Sequence, residues 1–464
     1  MKATKERRVP IRILATADLH IGRTSTQSID LGEWGSTRYA WLRMVDYAIR
    51  EGIDLILIAG DLVEHDNRYY EASAALKKGF DRLSEAGITV VMTAGNHDHD
   101  VLPQLIGRTE RDHMILLGRE GHWSDCVLEI NGMKVQCIGW SFPDRFHEKD
   151  PAQSLPQGLV RSDMPTLGLV HGDLKQYAPT SPYAPISQET LEAQPVDLWV
   201  MGHIHKPLRI REAAPCMFYP GTPQALNPKE TGLHGFELLE LGSHGITPTK
   251  TVPFSSIRYE DIDIDITETE HFSHIREQIT NAMDALFDER IDAYEDLKEV
   301  VVDVHLTGYQ PDLEALNRYL AKQNFSEVSR EVEGRPVMIR RVYNLCKFRV
   351  NQLDLLANEP GPAGLLAQTI LDLEAGRSSP LLSELRESIV ATMQDARESN
   401  TYKTLFEGFV DEGFADEGFA DEGFADEGQG ASTLEKESQI KEWLIEECHR
   451  TLSEMMKTKH QDRS

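Results

Sequence analysis

The 464-residue chain contains only five cysteines, Cys126, Cys137, Cys216, Cys346 and Cys448, odd in number, far apart and without a CxxC pair. That scarcity excludes a disulfide framework or a zinc ribbon as the organising device, and it fits scattered thiols in a reducing compartment. No apolar run is long enough to cross a bilayer, and the opening residues, MKATKERRVPIRIL, hold no apolar leader segment. The expectation is a soluble, cytoplasmic protein with no membrane contact. Positive charge is also in short supply, with 48 Lys and Arg against 76 Asp and Glu and a net charge of -28. Phosphate binding is driven by Lys and Arg, so at first sight the balance argues against a nucleic-acid partner. The distribution weakens that objection: residues 1–250 hold 26 basic and 32 acidic side chains, whereas residues 251–464 hold 22 and 44. Inside the acidic half, RPVMIRRVYNLCKFR has five basic residues (Arg335, Arg340, Arg341, Lys347, Arg349) and no acid. It reads either as a strand surface balancing nearby acids or as a DNA-contacting face.

Length allows two or three domains, and 40% hydrophobic residues can fill their cores. Residues 11–254 alternate short apolar runs (Ile11 to Ala15, Leu55 to Ala59, Ile88 to Thr93, Lys134 to Gly139, Leu167 to Val170, Asp197 to Met201) with segments of helical length such as Thr37 to Glu51 and Tyr70 to Ala86. Buried strands separated by helices predict an α/β layered fold. Residues 255–350 change pattern to strand, helix (Glu268 to Leu286), strand (Val300 to Leu306), helix (Pro311 to Lys322) and strand (Val337 to Val342), a small α+β domain. Residues 351–464 are expected to be helical, with stretches at Leu365 to Leu373 and Leu382 to Met393. They include an acidic linker of four pentads, FVDEG and three FADEG, at 409–428. The pentads serve neither a helix nor a strand period, so they read as a disordered segment. Ser432 and Glu435 form a capping box for a last helix, on which Ile440, Trp443, Leu444, Cys448, Leu452, Met455 and Met456 line one apolar stripe. Such a stripe either packs on its own domain or is presented to a partner.

The chemistry follows the N-terminal strands. After successive apolar runs come ADLH (Asp18, His20), GD (Asp61), GNHD (Asn96, His97), VHGD (His171) and GHIH (His203, His205). Loops at the carboxyl ends of parallel strands share one sheet edge, so these side chains can converge although they span nearly the whole N-terminal half. Any one of them alone is more often a hydrogen-bonding turn residue than a ligand, whereas five in order make coincidence improbable. Two Asp, one Asn and four His with no Cys form an oxygen and imidazole set suited to manganese, iron or zinc. That is too many ligands for one ion and about right for two bridged by a carboxylate, the usual device for attack on a phosphoester. A histidine outside the ligand set can then serve the leaving oxygen.

The ordered set DLH…GD…GNHD…H…GHIH resembles the calcineurin-like metallophosphoesterase superfamily. The opening ATADLHIGR and the segment YPGTPQALNPKETGLHGFELLEL, followed by a strand and helix domain, look most like the SbcD-type exonucleases of double-strand-break repair. The resemblance implies a four-layer sandwich of two mixed sheets flanked by helices, followed by the α+β cap and the helical segment. By motif, Asp18, His20 and His205 would bind one metal, Asn96, His171 and His203 the other, Asp61 would bridge, and His97 would be catalytic. Asp98 would orient the loop. His65 stands one place beyond a substrate-positioning histidine of such relatives and is either that residue displaced or a surface histidine. The implied activity is that of a manganese-dependent DNA exonuclease and endonuclease, homodimeric, working with an SbcC-type coiled-coil ATPase gripped by the C-terminal helices. A nucleotide phosphodiesterase with the same ligands and a degenerate scaffold are the alternatives. The protein-phosphatase signature GDxxDRG with GNHE is not matched by GDLVEHD and GNHD.

Overall fold

The computed structural model describes residues 9–26, 32–64, 71–107, 113–178, 180–267, 269, 271–290, 294–325, 330–332, 335–349, 353–377, 441, 444–445, 447–452 and 455. His65, the helical stretch 382–393, the pentads 409–428, the Ser432 and Glu435 pair, Ile440, Trp443 and Met456 lie outside the described residues.

LILIA, Leu55–Ala59, is buried at every position, which requires cover on both faces of its sheet. This strand, β2, sits inside a six-stranded sheet. The order is β12 (Gly245–Pro253), β11 (Gly235–Gly242), β1 (Ile11–Thr16), β2, β3 (Thr89–Thr93), β4 (Met114–Leu116). Strands β1 to β4 run parallel, and β11 returns antiparallel beside β1. The second six-stranded sheet is ordered β5 (Ser124–Ile130), β6 (Met133–Gly139), β7 (Thr166–His171), β8 (Leu198–Gly202), β10 (Cys216–Tyr219), β9 (Leu208–Arg211). Its inner strands are parallel and its two edges antiparallel.

The expected strands thus divide between two mixed sheets. Alternate residues of each central strand face opposite clusters. Ile13, Leu55, Leu57 and Val91 meet Val135, Leu167, Leu198 and Val200 between the sheets. On the far side of the first sheet, Ile56, Ile58 and Val90 pack with Trp41 and Met44 of α1 (Thr37–Arg50) and Leu76 and Phe80 of α2 (Glu71–Glu85). On the far side of the second, Ile138, Val170 and Trp199 pack with Leu191 of α4 (Gln188–Glu192), after the short α3 (Leu102–Gly107). The result is the four-layer α/β sandwich. Each buried Leu or Ile in these clusters contributes roughly 1.5–3 kcal/mol relative to exposure.

The described residues group into two compact units. One comprises 1–262, 283–303 and 325–341, the other 263–282, 304–324 and 342–464. A four-stranded sheet follows the sandwich in sequence, ordered β13 (Ile257–Asp265), β14 (Glu299–Thr307), β17 (Arg335–Asn344), β16 (Arg330–Val332). The helix expected from Glu268 begins instead at Ile275, as α5 (Ile275–Arg290), because His271 is extended and only a short 3-10 turn precedes the helix. Helix α6 (Leu313–Leu320) is capped by the Asp312 carboxylate, which accepts from the Ala315 N–H. A short ladder joins β15 (Tyr309–Gln310) and β18 (Lys347–Phe348). Basic side chains in 335–349 pair with the chain's own carboxylates. Arg340 makes a forked pair with Asp303, and Arg349 lies 3.3 Å from Glu374. Arg341 and Lys347 are exposed, and the side chain of Arg335 lies outside the described residues.

After α7 (Leu353–Leu356), Gly361 with φ 118° and Pro362 at the first helical position start α8 (Pro362–Glu374). Of the C-terminal stripe, Cys448 and Leu452 are buried with Leu353, Ala367 and Ile370, and Leu444 with Leu373. Leu444, Cys448 and Leu452 are therefore covered by the chain's own helices, while Met455 is half-buried.

Candidate metal centre

The five motifs occupy the ends of β1, β2, β3, β7 and β8, and the two sheets bring those ends to one place. Asp18, His20, Asp61 and His203 all hold left-handed backbone, with φ of 52°, 44°, 49° and 99°. Each such residue costs on the order of 1–3 kcal/mol and persists only where its surroundings over-determine it. They do so here. The His203 N–H reaches both oxygens of Asp18 at 3.0 and 3.1 Å, the His97 N–H donates to Asp61 Oδ1 at 2.9 Å, and the His20 N–H donates to the Asp61 carbonyl at 3.0 Å. Glycine precedes Asn96 and His203 for a spatial reason: a Cβ on Gly95 would overlap the Asp61 carboxylate, and one on Gly202 would overlap the Ala59 carbonyl.

Hydrogen-bond roles test whether these groups suit cations. His171 Nδ1 lies 3.0 Å from the Ala59 carbonyl, which only accepts, so Nδ1 carries a proton. Its Nε2 then faces Asn96 Oδ1 at 3.0 Å and Asp61 Oδ2 at 3.3 Å, again acceptors. Such a cluster requires a cation or a proton in front of Nε2. Burial alone would lower the His171 pKa, but the adjoining Asp61 and Asp18 carboxylates push it up to about 9. Burial likewise opposes ionisation of Asp61, yet His171, His97 and His20 hold its carboxyl well below the usual range. On the other side, His20 Nδ1 is 3.0 Å from Glu64 and His205 Nδ1 is 2.9 Å from Glu230. With both Nδ1 atoms donating to carboxylates, the two Nε2 lone pairs point at each other 3.1 Å apart. A shared Lewis acid resolves that contact. The ligand atoms of Asp18, His20 and His205 lie within 4.8 Å of one another, as do those of Asp18, Asp61 and His171. The residues present therefore fit two adjacent divalent cations.

The expected ligands are not equally placed. Asp18, His20 and His171 are fully buried and face the two clusters. His203 stands slightly apart: its ring is 5.3 Å from that of His171, and its Nε2 is directed at Asp173 at 3.4 Å. His97 sits beside the His20 ring at 4.8 Å, edge to face, with Nδ1 3.1 Å from Glu64 Oε1. Asp98 binds no candidate ligand side chain. It accepts from the N–H groups of Leu62, Val63 and Gly95, tying the Asp61 loop to the Asn96 loop, while burial and the Asp61 charge raise its pKa to about 7. His99 turns its Nδ1 to the Asn96 carbonyl at 3.2 Å.

Three carboxylates were missed by motif reading. Glu64 spans His20 and His97 with one oxygen each, Asp173 faces His203, and Glu230 holds His205. Burial opposes ionisation in all three, and the facing histidines lower their pKa values nonetheless. Carboxylates behind metal-binding histidines fix tautomer and ring orientation. Glu64 and Asp173 lie within the quoted stretches GDLVEHD and VHGD, so proximity to a motif was the available signal. Glu230 offered only its place in the segment that closes the sandwich.

The two-sheet sandwich and the paired clusters of candidate ligands are consistent with the family comparison, which concerns the N-terminal domain. Residues 11–207 match the model of the calcineurin-like phosphoesterase family. The chain is 31% identical over 253 residues to the uncharacterized metallophosphoesterase YhaO of Bacillus subtilis (strain 168), covering 52% of this chain and 59% of that protein. It is 25% identical over 266 residues to the DNA double-strand break repair protein Mre11 of Methanopyrus kandleri, covering 51% and 55%. The chain thus spans less than two thirds of the length of these curated relatives. Among solved structures, a Thermus thermophilus protein, TT1561, matches at 15% identity and a TM-score of 0.35, over 52% of this chain and 99% of that one. Among the described residues no helix is long and apolar enough to cross a membrane.

Proposed function

We propose that the protein is a manganese-dependent phosphodiesterase that cleaves DNA as an exonuclease and endonuclease in repair. The observation that carries the reading is the pair of acceptor-only clusters sharing Asp18, with His97 held beside them by Glu64. Asp61 would bridge the ions, with Asp18, His20 and His205 on one side and Asn96, His171 and His203 on the other. When bound, the two ions supply Lewis-acid charge to the phosphoryl group and activate a water. His97, held through Nδ1, would deliver a proton from Nε2 to the leaving oxygen. DNA as the substrate is supported by the similarity to Mre11. A homodimer working with an SbcC-type ATPase in the cytoplasm belongs to the same reading. The ATPase would be met by the C-terminal helices, and since Leu444, Cys448 and Leu452 are buried, that contact would use other faces of those helices.

The test is purified full chain with manganese on linear and hairpin DNA, alone and with the ATPase that co-purifies. Metal-dependent cleavage is expected. Two bound ions without cleavage in any combination overturn the reading, and faster turnover of cyclic nucleotides than of DNA replaces it with a nucleotide phosphodiesterase.

A further inference from the structure

An aromatic ladder leads outward from the metal centre. The Tyr183 ring lies 5.0 Å from that of His203 with planes 37° apart, and Phe146 lies 5.6 Å from Tyr183 at 39°. The Arg145 guanidinium stands 5.5 Å from the Phe146 ring. Phe146 is 53% exposed, so the ladder ends in solvent. A single exposed aromatic is ordinary and needs no explanation. Phe146 differs because it ends a row of tilted ring contacts that starts at a candidate metal ligand.

The column is also rigidly held. The loops that carry its rings are zipped together: the His147 N–H donates to the Pro182 carbonyl at 2.7 Å and the Ala184 N–H to the His147 carbonyl at 2.7 Å. The Tyr183 N–H donates to Ser181 Oγ at 3.0 Å, and the Ser181 hydroxyl donates to Asp173, the carboxylate that faces His203. One carboxylate thus sets both the histidine ring and the loop presenting Tyr183. Stacking surface and phosphate site are fixed relative to each other before any ligand arrives.

A ligand matching this arrangement carries a phosphodiester and, next to it, a flat ring with free π-faces. Nucleobases fit whatever their sequence, because every base has such a face, and Arg145 adds a cation beside the stack. A base inside a duplex already spends both faces on its neighbours, so the ladder selects an unpaired strand or a frayed end. We propose that Tyr183 and Phe146 form a stacking subsite for an unpaired nucleobase adjacent to the phosphodiester held at the metal centre. This rests on the phosphodiesterase reading above and names the form of nucleic acid it would take.

The experiment compares ligands with and without a base, using the full chain in manganese. By calorimetry, thymidine 5′-monophosphate is expected to bind about 5- to 150-fold tighter than deoxyribose 5-phosphate, the range set by one base–aromatic stack. Phe146→Ala should bring that ratio close to one at unchanged metal content, and Phe146→Trp should preserve it. Equal binding of the two ligands by the wild-type chain, or a ratio that survives in Phe146→Ala, overturns the subsite. Cleavage of a single-stranded oligonucleotide, intact or with an abasic site beside the scissile linkage, separates this inference from its parent. DNA cut equally at both linkages removes the subsite and leaves the nuclease reading, whereas a base preference in calorimetry without any DNA cleavage removes the nuclease reading and leaves the subsite.

Discussion

The two sides of the metal centre are made of different materials. On the Asp61 side, His171 is fully buried, braced by a backbone carbonyl, and turns its Nε2 to the oxygens of Asn96 and Asp61. On the His20 side, imidazoles predominate, His20 and His97 braced by the two oxygens of Glu64 and His205 by Glu230, and the side chains of His205 and His97 are 17% and 14% exposed. The first side collects positive charge of any kind, protons included. The second sets direction, because its carboxylates decide which nitrogen of each ring faces inward. Affinity and geometry are thus assigned to neighbouring but distinct groups.

Substitutions that strike one side should separate these roles. Asp61→Ala has the largest effect, since it removes the carboxylate proposed to bridge the two ions: metal analysis should find both ions lost and hydrolysis undetectable. Two retained ions would contradict the bridging role. His97→Ala should leave metal content intact while kcat falls on the order of 10²–10⁴-fold, the usual contribution of a placed proton donor. Turnover at the wild-type rate would remove His97 from the chemistry. Glu64→Gln replaces one of two acceptor oxygens by an N–H donor, so His20 and His97 can no longer both be held. A loss of about 10–100-fold in activity, with weakened metal binding on the His20 side alone, is expected. Equal weakening of both ions in a titration would break the distinction between the sides.

The smallest effect is the pH dependence of the Asp61 side. Because the folded pKa of His171 is raised, to about 9 from 6.5, its imidazolium stabilises the metal-free fold fully below about 6.5, and that stabilisation is lost as pH rises through about 9. A metal replaces the same proton, so its affinity should rise across this window by at most about tenfold per pH unit. Melting curves with and without manganese should diverge towards alkaline pH, and a constant gap would exclude proton displacement at His171.

The sandwich and the convergence of the candidate ligand motifs were legible because each short apolar run ends in a distinctive polar group, and loops after parallel strands share an edge. Asp18, His20, Asp61, Asn96 and His171 announce themselves in this way. The bracing carboxylates did not: Glu64, Asp173 and Glu230 are single acids in an acidic chain, and only tertiary proximity gives them work. The Phe146 and Tyr183 column was equally invisible, since two aromatics 37 positions apart carry no period. The start of α5 was misplaced because acidic residues near 268 mimic a helix opening while the backbone is still extended at His271. Of the apolar stripe expected from Ile440 to Met456, the described Leu444, Cys448 and Leu452 are buried, but whether a face is covered by its own chain or by another is not encoded in its period.

The hydrogen bonds from the His203 N–H to Asp18 join positions 185 residues apart. Strand β1 likewise waits for β11, pairing Ile11 with Leu241. Contacts of such sequence separation bear the largest loop-closure cost and form late in folding. During synthesis, the first ligand motif therefore stays unassembled until most of the sandwich has been made. A partly folded chain has no place to hold two ions side by side, so the candidate cation site is complete only in the finished domain.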